Sequence, residues 1–445
     1  MQIHLINLGC ARNQVDSEVM TGRLAQAGHL MVEDPGQAEA LIINTCCFIE
    51  EAADESIDTI LQAAAYKKEG RCRRLIVAGC LPERYREPIR EALPEVDFFL
   101  GTGAYDRIVE ALEERPAASA TTCLLPDPDA LAPQTAATPR ALAGGPMAYL
   151  KITEGCDRHC TFCIIPKLRG RQKSRPLTDI LQEARTLVRA GIKELVLVGQ
   201  ETTRYGRDQP PGSPTLADLL AELGRIEDKV WIRFMYGHPE SLDEAILQTV
   251  ASHSNLCSYF DIPIQHVSPE LLRRMGRPYD PARIAGQVRR IRQLMPEATV
   301  RTTVIVGFPG ETDRDFDQLQ TFIQTVPFDH LGVFTYSDAE DLASHRLPDH
   351  VPQEIAQQRR DILMEQQRRI SEGRQARYLQ TTCEVLLEEA PEEGLFIGRT
   401  MFQAPEVDGL TYVRNPAPYP GLHIGQFIKA RIVDTLEYDL VGEPE

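Results

Sequence analysis

The sequence predicts a three-part α/β protein: an open parallel α/β domain, a partial barrel of six β/α units, and a small antiparallel β-barrel. Three observations carry this reading. Short apolar runs ending in Gly, Asn or Cys alternate with helical stretches up to about residue 115. The same alternation resumes at Met147, after an interval rich in Pro, Ala and Thr. From about Thr381, short strands alternate with Gly and Pro turns. A length of 445 residues agrees with about three domains, and the expected bounds are 1–116, a linker at 117–146, 147–375 and 376–445.

In the first domain, QIHLINLG, ALIINTC, RRLIVAGC and VDFFLGTG read as strands, and VDSEVMTGRLAQAG and FIEEAADESIDTILQAAAYKKEG as helices. Strands alternating with helices imply a parallel sheet covered by helices. The second domain offers MAYLKIT, ELVLVGQ, VWIRFMY, SYFDIPIQ, TVRTTVIVG and FDHLGVFTY, separated by helices such as LTDILQEARTLVRAG and DRDFDQLQTFIQTV. Six units are too few for a closed eight-stranded barrel and fit an open one. A long amphipathic helix over roughly 352–379 follows. CEVLLEE, GLFIGRT, GLTYVRN and GQFIKARIVDTLEYDLVGE then supply the last barrel.

Composition excludes several classes. Hydrophobic content of 42% and charged content of 25% are those of a globular protein, and no apolar run approaches the ~20 residues of a membrane span. MQIHLINLGC lacks a basic n-region and a cleavage site and reads as a first strand, so a cytoplasmic chain is expected. In a reducing compartment, clustered members of the eleven cysteines are metal ligands by default. A net charge of −17 argues against broad nucleic-acid binding and suits a basic protein partner.

Cys156, Cys160 and Cys163 in TEGCDRHCTFCIIP follow the strand MAYLKIT closely enough to share one metal cluster. An iron–sulfur cube has four irons, so three thiolates leave one open to a small molecule. A structural zinc site is the alternative, with His159 as fourth ligand. Cys10, Cys46 and Cys80 are distant in sequence, yet each follows a predicted parallel strand: LINLGC, LIINTC and LIVAGC. The C-terminal strand ends of an open sheet form one edge, so three loops would deliver three thiols to one place. The alternative is a buried apolar cysteine at each position.

The triplet, with Phe162 before its last cysteine, resembles the radical S-adenosylmethionine (SAM) enzymes. GCARNQVDSE, INTCCFIEEA and VAGCLPER resemble the three N-terminal cysteine motifs of the methylthiotransferase family within them. The resemblance spans the chain, with a radical SAM core and a C-terminal TRAM domain. Cys47 departs from the usual small residue there, and the INTC match favours Cys46 as the ligand. Cys72, Cys123, Cys257 and Cys383 have no partners at ligand spacing. The resemblance implies two 4Fe-4S clusters and SAM, with an electron donor such as flavodoxin or ferredoxin. At the Cys156, Cys160 and Cys163 cluster, SAM would be cleaved to a radical that removes a substrate hydrogen. At the Cys10, Cys46 and Cys80 cluster, an open iron would hold a sulfide that takes a methyl group from another SAM. The two open irons must then face one cavity.

Further candidates sit at other strand ends. Gly199, Gln200 and Glu201 stand where such enzymes hold the polar end of SAM, and a turn-forming role is the alternative for each. Gln265 and His266 end the fourth strand on the same rim. Gly307 in VIVGFPGET would let backbone approach a ligand, or simply make a turn. Arg273, Arg274 and Arg277 would neutralise a carboxylate or phosphate, or lie on a solvated helix face. The substrate follows from the last module: residues 376–445 hold five basic against twelve acidic side chains, a net of −7. An RNA groove is expected to be basic, so RNA binding by this TRAM domain is not expected. GCARNQVDSE and FQAPEVDGLTYVRN also resemble the branch that modifies the β-carbon of an aspartate in ribosomal protein S-twelve. The sibling reading is methylthiolation of N6-isopentenyladenosine in tRNA, and a third is a non-catalytic iron–sulfur carrier.

Overall fold

The computed structural model describes residues 1–113, 121–227, 229–414 and 421–445. The first domain is a six-stranded parallel sheet: β1 (Gln2–Asn7), β2 (Leu30–Met31), β3 (Ala40–Thr45), β4 (Arg74–Gly79), β5 (Phe98–Leu100) and β6 (Thr122–Leu124), in spatial order β2-β1-β3-β4-β5-β6. Two of its helices matter below, α1 (Ala11–Gln26) and α2 (Glu50–Glu69), with the short α3 (Cys80–Tyr85). Strand order reverses between β1 and β3, the switch point where a crevice opens beyond the strand ends. The stretch expected as a linker supplies β6, whose Phe98↔Thr122 to Leu100↔Leu124 register extends the sheet. The expected boundary at 116/117 lies outside the described residues.

The second domain is the open barrel. Its strands are β7 (Met147–Lys151), β10 (Glu194–Val198), β11 (Trp231–Phe234), β12 (Tyr259–Asp261), β13 (Thr299–Val306) and β14 (His330–Thr335), while a small ribbon, β8 (Thr153–Glu154) with β9 (Lys173–Ser174), braces the loop after β7. All six barrel strands run parallel in two arcs, joined through the bridge Ile232↔Leu256. The helix Gln353–Gln375 packs on β14 at the open edge, and α1 packs against β7. The last domain closes into a barrel of five strands, β15 (Thr382–Glu392), β16 (Leu395–Thr400), β17 (Thr411–Arg414), β18 (Phe427–Thr435) and β19 (Leu440–Pro444). It is antiparallel except for one parallel pairing, β17 with β19. No helix of the described residues is long and apolar enough to cross a membrane.

The small barrel seats on the starting ends of the core strands. Arg399 bridges Glu388 and Glu194 Oε2 (2.6 Å), and Arg233 holds the other oxygen of Glu194 at 2.8 Å. Asp408 accepts from Tyr259 Oη at 2.6 Å, and Phe427 packs on Trp231 with ring centroids 4.8 Å apart. At the opposite ends of the strands, the first domain is locked to the core by buried charges. Lys151 Nζ reaches Asp16 Oδ1 (2.5 Å) and Glu154 Oε2 (2.9 Å), and Arg169 Nη1 reaches Asp16 Oδ2 (2.7 Å). A second lock joins Arg140 to Glu18 and Glu183. One apolar cluster runs through the barrel lumen, from Ala11 and Val15 of α1 through Tyr149, Val196 and Trp231 to Leu386 and Ala404 of the small barrel.

Breaking a buried pair costs about 3–5 kcal/mol because the partner charge is left uncompensated. Asp16→Ala is expected to lose stability of that order in denaturant unfolding. Burial works to raise the Glu154 carboxyl, but Lys151 and Arg169 outweigh it and hold it down to about 2. Its contribution is therefore complete above the unfolded value of about 4.3 and disappears as pH falls from there through about 2. A pH titration of stability in which Glu154→Gln keeps the wild-type acid limb would contradict this.

Candidate functional site

The two cysteine sets are positioned by different routes. Cys10 occupies the N-cap of α1 without a side-chain cap hydrogen bond, and its sulfur donates to Asn13 Oδ1 at 3.7 Å. Cys46 leaves β3 and is clasped by Ser56 of α2, whose Oγ donates to the Cys46 carbonyl at 2.8 Å. Cys80 opens α3 after Gly79, whose φ of 98° and approach to Asn44 and Thr45 (2.4 and 2.7 Å from an added Cβ) admit only glycine. Asn13 and Asn44 tie the first two loops: Asn13 Nδ2 donates to the Thr45 carbonyl (2.9 Å) and Asn44 Nδ2 to the Asn13 carbonyl (2.8 Å).

Cations surround these thiols. Burial works to raise the Cys10 pKa, but Arg12, Arg169 and the N–H groups of Asn13 and Arg12 bring it below the ordinary cysteine value. Burial lifts Cys46, against weaker help from Arg12, and raises Cys80 to about 11 despite Arg169 at 3.8 Å from its sulfur. The charges of Cys10 and Cys46 both act on Cys80, so the three form one electrostatic group. Cys47 is fully buried in the apolar core beneath α2, and its carbonyl accepts from Arg84. It packs in the core, where the charges of Cys80 and Cys46 also act on it, whereas Cys46 is half-buried and shares the field of Cys10 and Arg12.

Cys156, Cys160 and Cys163 line a cavity of about 240 Å³ beyond the C-terminal ends of the core strands. The backbone N–H of Arg158 donates to Cys156 Sγ (3.4 Å) and Arg277 Nε to Cys160 Sγ (3.3 Å). Burial raises Cys156, with Glu201 adding to it, and raises Cys163 to about 12. Phe162 lies edge-on to Phe308 and beneath Arg277. From the first domain, Arg12 and Phe48, each two residues from a cysteine of the other set, complete the wall. Among the described residues, no three His, Cys, Asp or Glu side chains converge as a single-ion site. Ligands of a cube sit on separate irons and stand wider apart.

The other expected residues separate clearly. Gln200, Glu201 and Gln265 line the cavity, but both oxygens of Glu201 are taken, by Arg158 Nε (2.7 Å), Arg158 Nη2 (2.9 Å) and Ser241 Oγ (2.6 Å). Gly199 contributes its carbonyl, which accepts from Arg12 Nη1 at 2.9 Å. Gly307 does not line the cavity: an added Cβ would stand 2.4 Å from Ala356 Cβ, so its smallness serves helix packing. His266 is wholly buried against Glu311 and Ser268, and His159 is exposed. Arg273 and Arg274 pair with Glu270, and only Arg277 of that run reaches the cavity.

Sequence reasoning missed Arg12, Arg158, Arg169, Tyr236 and His238. Tyr236 and His238 follow β11 in the position that selected Gln200 and Gln265, so the strand-end rule could have found them. Arg12 and Arg158 lie inside the quoted cysteine motifs, and Arg169 carries no signal. Burial, then Arg277 and Arg158, push His238 down to about 2, so it is neutral. Its Nδ1 accepts from the Glu240 N–H, which assigns the proton to Nε2. His238 Nε2, Gln200 Oε1 and Gln265 Oε1 are buried at the cavity wall without partners. A buried polar atom needs a partner, and three in one wall fit a polar ligand such as the amino-acid end of SAM.

Comparisons agree with this layout. The chain matches the models of the uncharacterized protein family UPF0004 over residues 2–101, the radical SAM superfamily over 150–323 and the TRAM domain over 381–444. It is 50% identical over 446 residues to "Ribosomal protein uS12 methylthiotransferase RimO" of Desulfosudis oleivorans, covering 100% of both chains, and 44% identical to the protein of the same name from Clostridioides difficile, covering 100% of this chain and 98% of that one. Its fold is similar to the radical SAM methyltransferase TsrM of Kitasatospora setae, with a TM-score of 0.55, 15% identity and coverage of 75% and 72%. It is also similar to the cobalamin-dependent radical enzyme OxsB, with a TM-score of 0.51, 15% identity and coverage of 82% and 55%.

The environments of the adjacent cysteines predict opposite behaviour. After anaerobic reconstitution, Cys46→Ala is expected to lose about half of the bound iron and Cys47→Ala to retain it, as read by iron and acid-labile sulfide assays. The reverse pattern would assign the ligand to Cys47.

Proposed function

The chain belongs to the RimO family of ribosomal protein uS12 methylthiotransferases, and from that membership we propose that it transfers a methylthio group to the β-carbon of an aspartate in uS12. The observation that carries the reading is the single cavity walled by one cysteine set and by the immediate neighbours of the other. Cys156, Cys160 and Cys163 would hold one 4Fe-4S cluster, and Cys10, Cys46 and Cys80 a second. Bound there with SAM, these groups supply one-electron cleavage of a sulfonium and the sulfur that is transferred.

The protein's own residues bind, orient and exclude. Arg277 and the Arg158 N–H donate to cysteine sulfurs, a pattern that favours thiolate over thiol. Arg158 braces the loop after Cys156 by spanning Glu201, Glu240 and Ser241. Gln200, His238 and Gln265 offer unpartnered polar atoms to the amino-acid end of SAM, with neutral His238 as donor. Phe162 and Phe48 keep the wall apolar, which protects a reactive carbon centre from solvent. Gln265 holds a φ of 64°, a left-handed conformation costly for a side chain with Cβ, in the segment beyond β12 that bridges to Val304 of β13. A one-electron donor protein of the flavodoxin or ferredoxin kind is the expected redox partner. The acidic TRAM barrel, seated at the far ends of the core strands, supports a protein substrate over RNA.

Two measurements test this. Reduced, cluster-loaded protein given SAM and uS12 is expected to add one methylthio group to uS12 in place of hydrogen, by intact mass, and none to tRNA. Modification of tRNA alone would refute it. Iron content is expected near eight per chain, falling to about four in Cys10→Ala and in Cys156→Ala.

A further inference from the structure

Three arginines line the cavity, and they differ in what satisfies them. Arg158 is neutralised by Glu201 and Glu240. Arg277 belongs to the wall of Cys160: its Nε goes to that sulfur and its Nη1 to the Pro263 carbonyl at 2.9 Å. Arg12 has no carboxylate of its own and, like Arg277, stands against a cysteine sulfur, that of Cys10, and a backbone carbonyl. It donates Nη1 to the Gly199 carbonyl and lies 4.4 Å above the ring of Tyr236. Among the described residues no carboxylate stands within ion-pair distance of it. Its anionic neighbour is the Cys10 thiol, whose charge acts on it. A guanidinium presents a planar fork of five donors that matches a carboxylate. Here one arm goes to the Gly199 carbonyl, the Cys10 sulfur lies against the group, and a π face accepts part of the charge, but no carboxylate occupies the fork.

The seat of Arg12 is built with care. Tyr236 holds a φ of 61°, in the left-handed region that non-glycine residues rarely adopt. Its N–H is tied to Asp261 Oδ2 at 3.0 Å, and the next N–H, of Gly237, to the Asp261 carbonyl at 2.9 Å. This backbone setting carries the ring under the guanidinium. Arg12 itself springs from the first turn of α1, two residues after Cys10, and crosses to the end of β10. It therefore stands on the seam between the lobes, at the wall of the cavity.

We propose that Arg12 receives the side-chain carboxylate of the target aspartate and so selects an acidic residue as substrate. The assignment rests on the uS12 reading above and names the residue that would read its substrate. The carbon to be modified is bonded directly to the carboxylate carbon. A carboxylate gripped at Arg12 thus holds that CH₂ one bond away, inside the cavity between the two cysteine sets. A carboxamide is isosteric yet cannot neutralise the guanidinium, and a nucleobase offers no carboxylate. Arg12 is in this sense a specificity residue, distinct from the cysteines beside it.

The test compares recombinant uS12 with the variant in which the modified aspartate, located by mass spectrometry, is replaced by asparagine. Binding of each to the cluster-loaded, SAM-bound protein is measured by fluorescence anisotropy. The wild-type enzyme is expected to bind the aspartate form about 10- to 100-fold more tightly, the range of a charge-assisted hydrogen bond. Arg12→Met is expected to remove that preference, and Arg12→Lys to keep part of it. Equal binding of both forms by the wild-type enzyme overturns the assignment without recourse to any variant, as does a preference that persists in Arg12→Met. If the wild-type enzyme leaves uS12 unmodified, the functional reading falls and this assignment falls with it. Modification with no aspartate preference sinks the assignment alone.

Discussion

The architecture depends on the buried charge network in which Asp16 and Glu154 share Lys151 and Arg169. Asp16 lies on α1, and the other three lie on β7, the β8 ribbon and the helix that follows Cys163. The two lobes are thus fixed in register by groups whose desolvation is tolerable only when all four meet. Arg169 carries the constraint furthest. It also donates to Asn13 Oδ1 at 2.7 Å and approaches Cys80. The residue that closes the interface therefore also sets the field around the thiols of the first domain. A shift of one lobe would disturb the surroundings of Cys80 and the docking together.

The two sets of thiols are presented in two ways. One comes from a contiguous loop, braced by the small ribbon and by the N–H of Cys156 donating to the Gly170 carbonyl. The other is assembled from three strand ends flanking the switch point, with Asn13, Asn44 and Ser56 as ties. The second arrangement is nonlocal: each cysteine is only as well placed as the parallel sheet beneath it. That suits a rigid scaffold more than a flexible loop, because β3 is buried at every residue.

Much of this was legible in the sequence, for identifiable reasons. Parallel strands buried on both faces read as continuous apolar runs, so the strands bearing Cys10, Cys46 and Cys80 were visible, as were all six core strands. The rule that ligands gather beyond the C-terminal strand ends brought Gln200 and Gln265 to the cavity correctly. It failed at Gly307, because a small residue at a strand end can serve a neighbouring helix as well as a ligand, and sequence does not record Ala356 across the gap. It failed at β6 because three residues in a proline-rich interval carry too little pattern to declare a strand. The ion pairs of Arg158 with Glu201 and Glu240, and of Arg169 with Asp16, were hidden for a different reason: they link residues more than forty positions apart, and charge alone does not name its partner.

The seating of the small barrel has a consequence for traffic. With Leu386 and Ala404 packed into the lumen and Asp408 anchored among Tyr259, Arg301 and His330, the floor of the core is stoppered. Everything the reaction consumes or releases must then share the doorway on the cysteine side. A bulky ribosomal protein standing in that doorway blocks smaller molecules from passing. Small and large molecules would therefore compete for one approach, because the other end of the barrel is plugged.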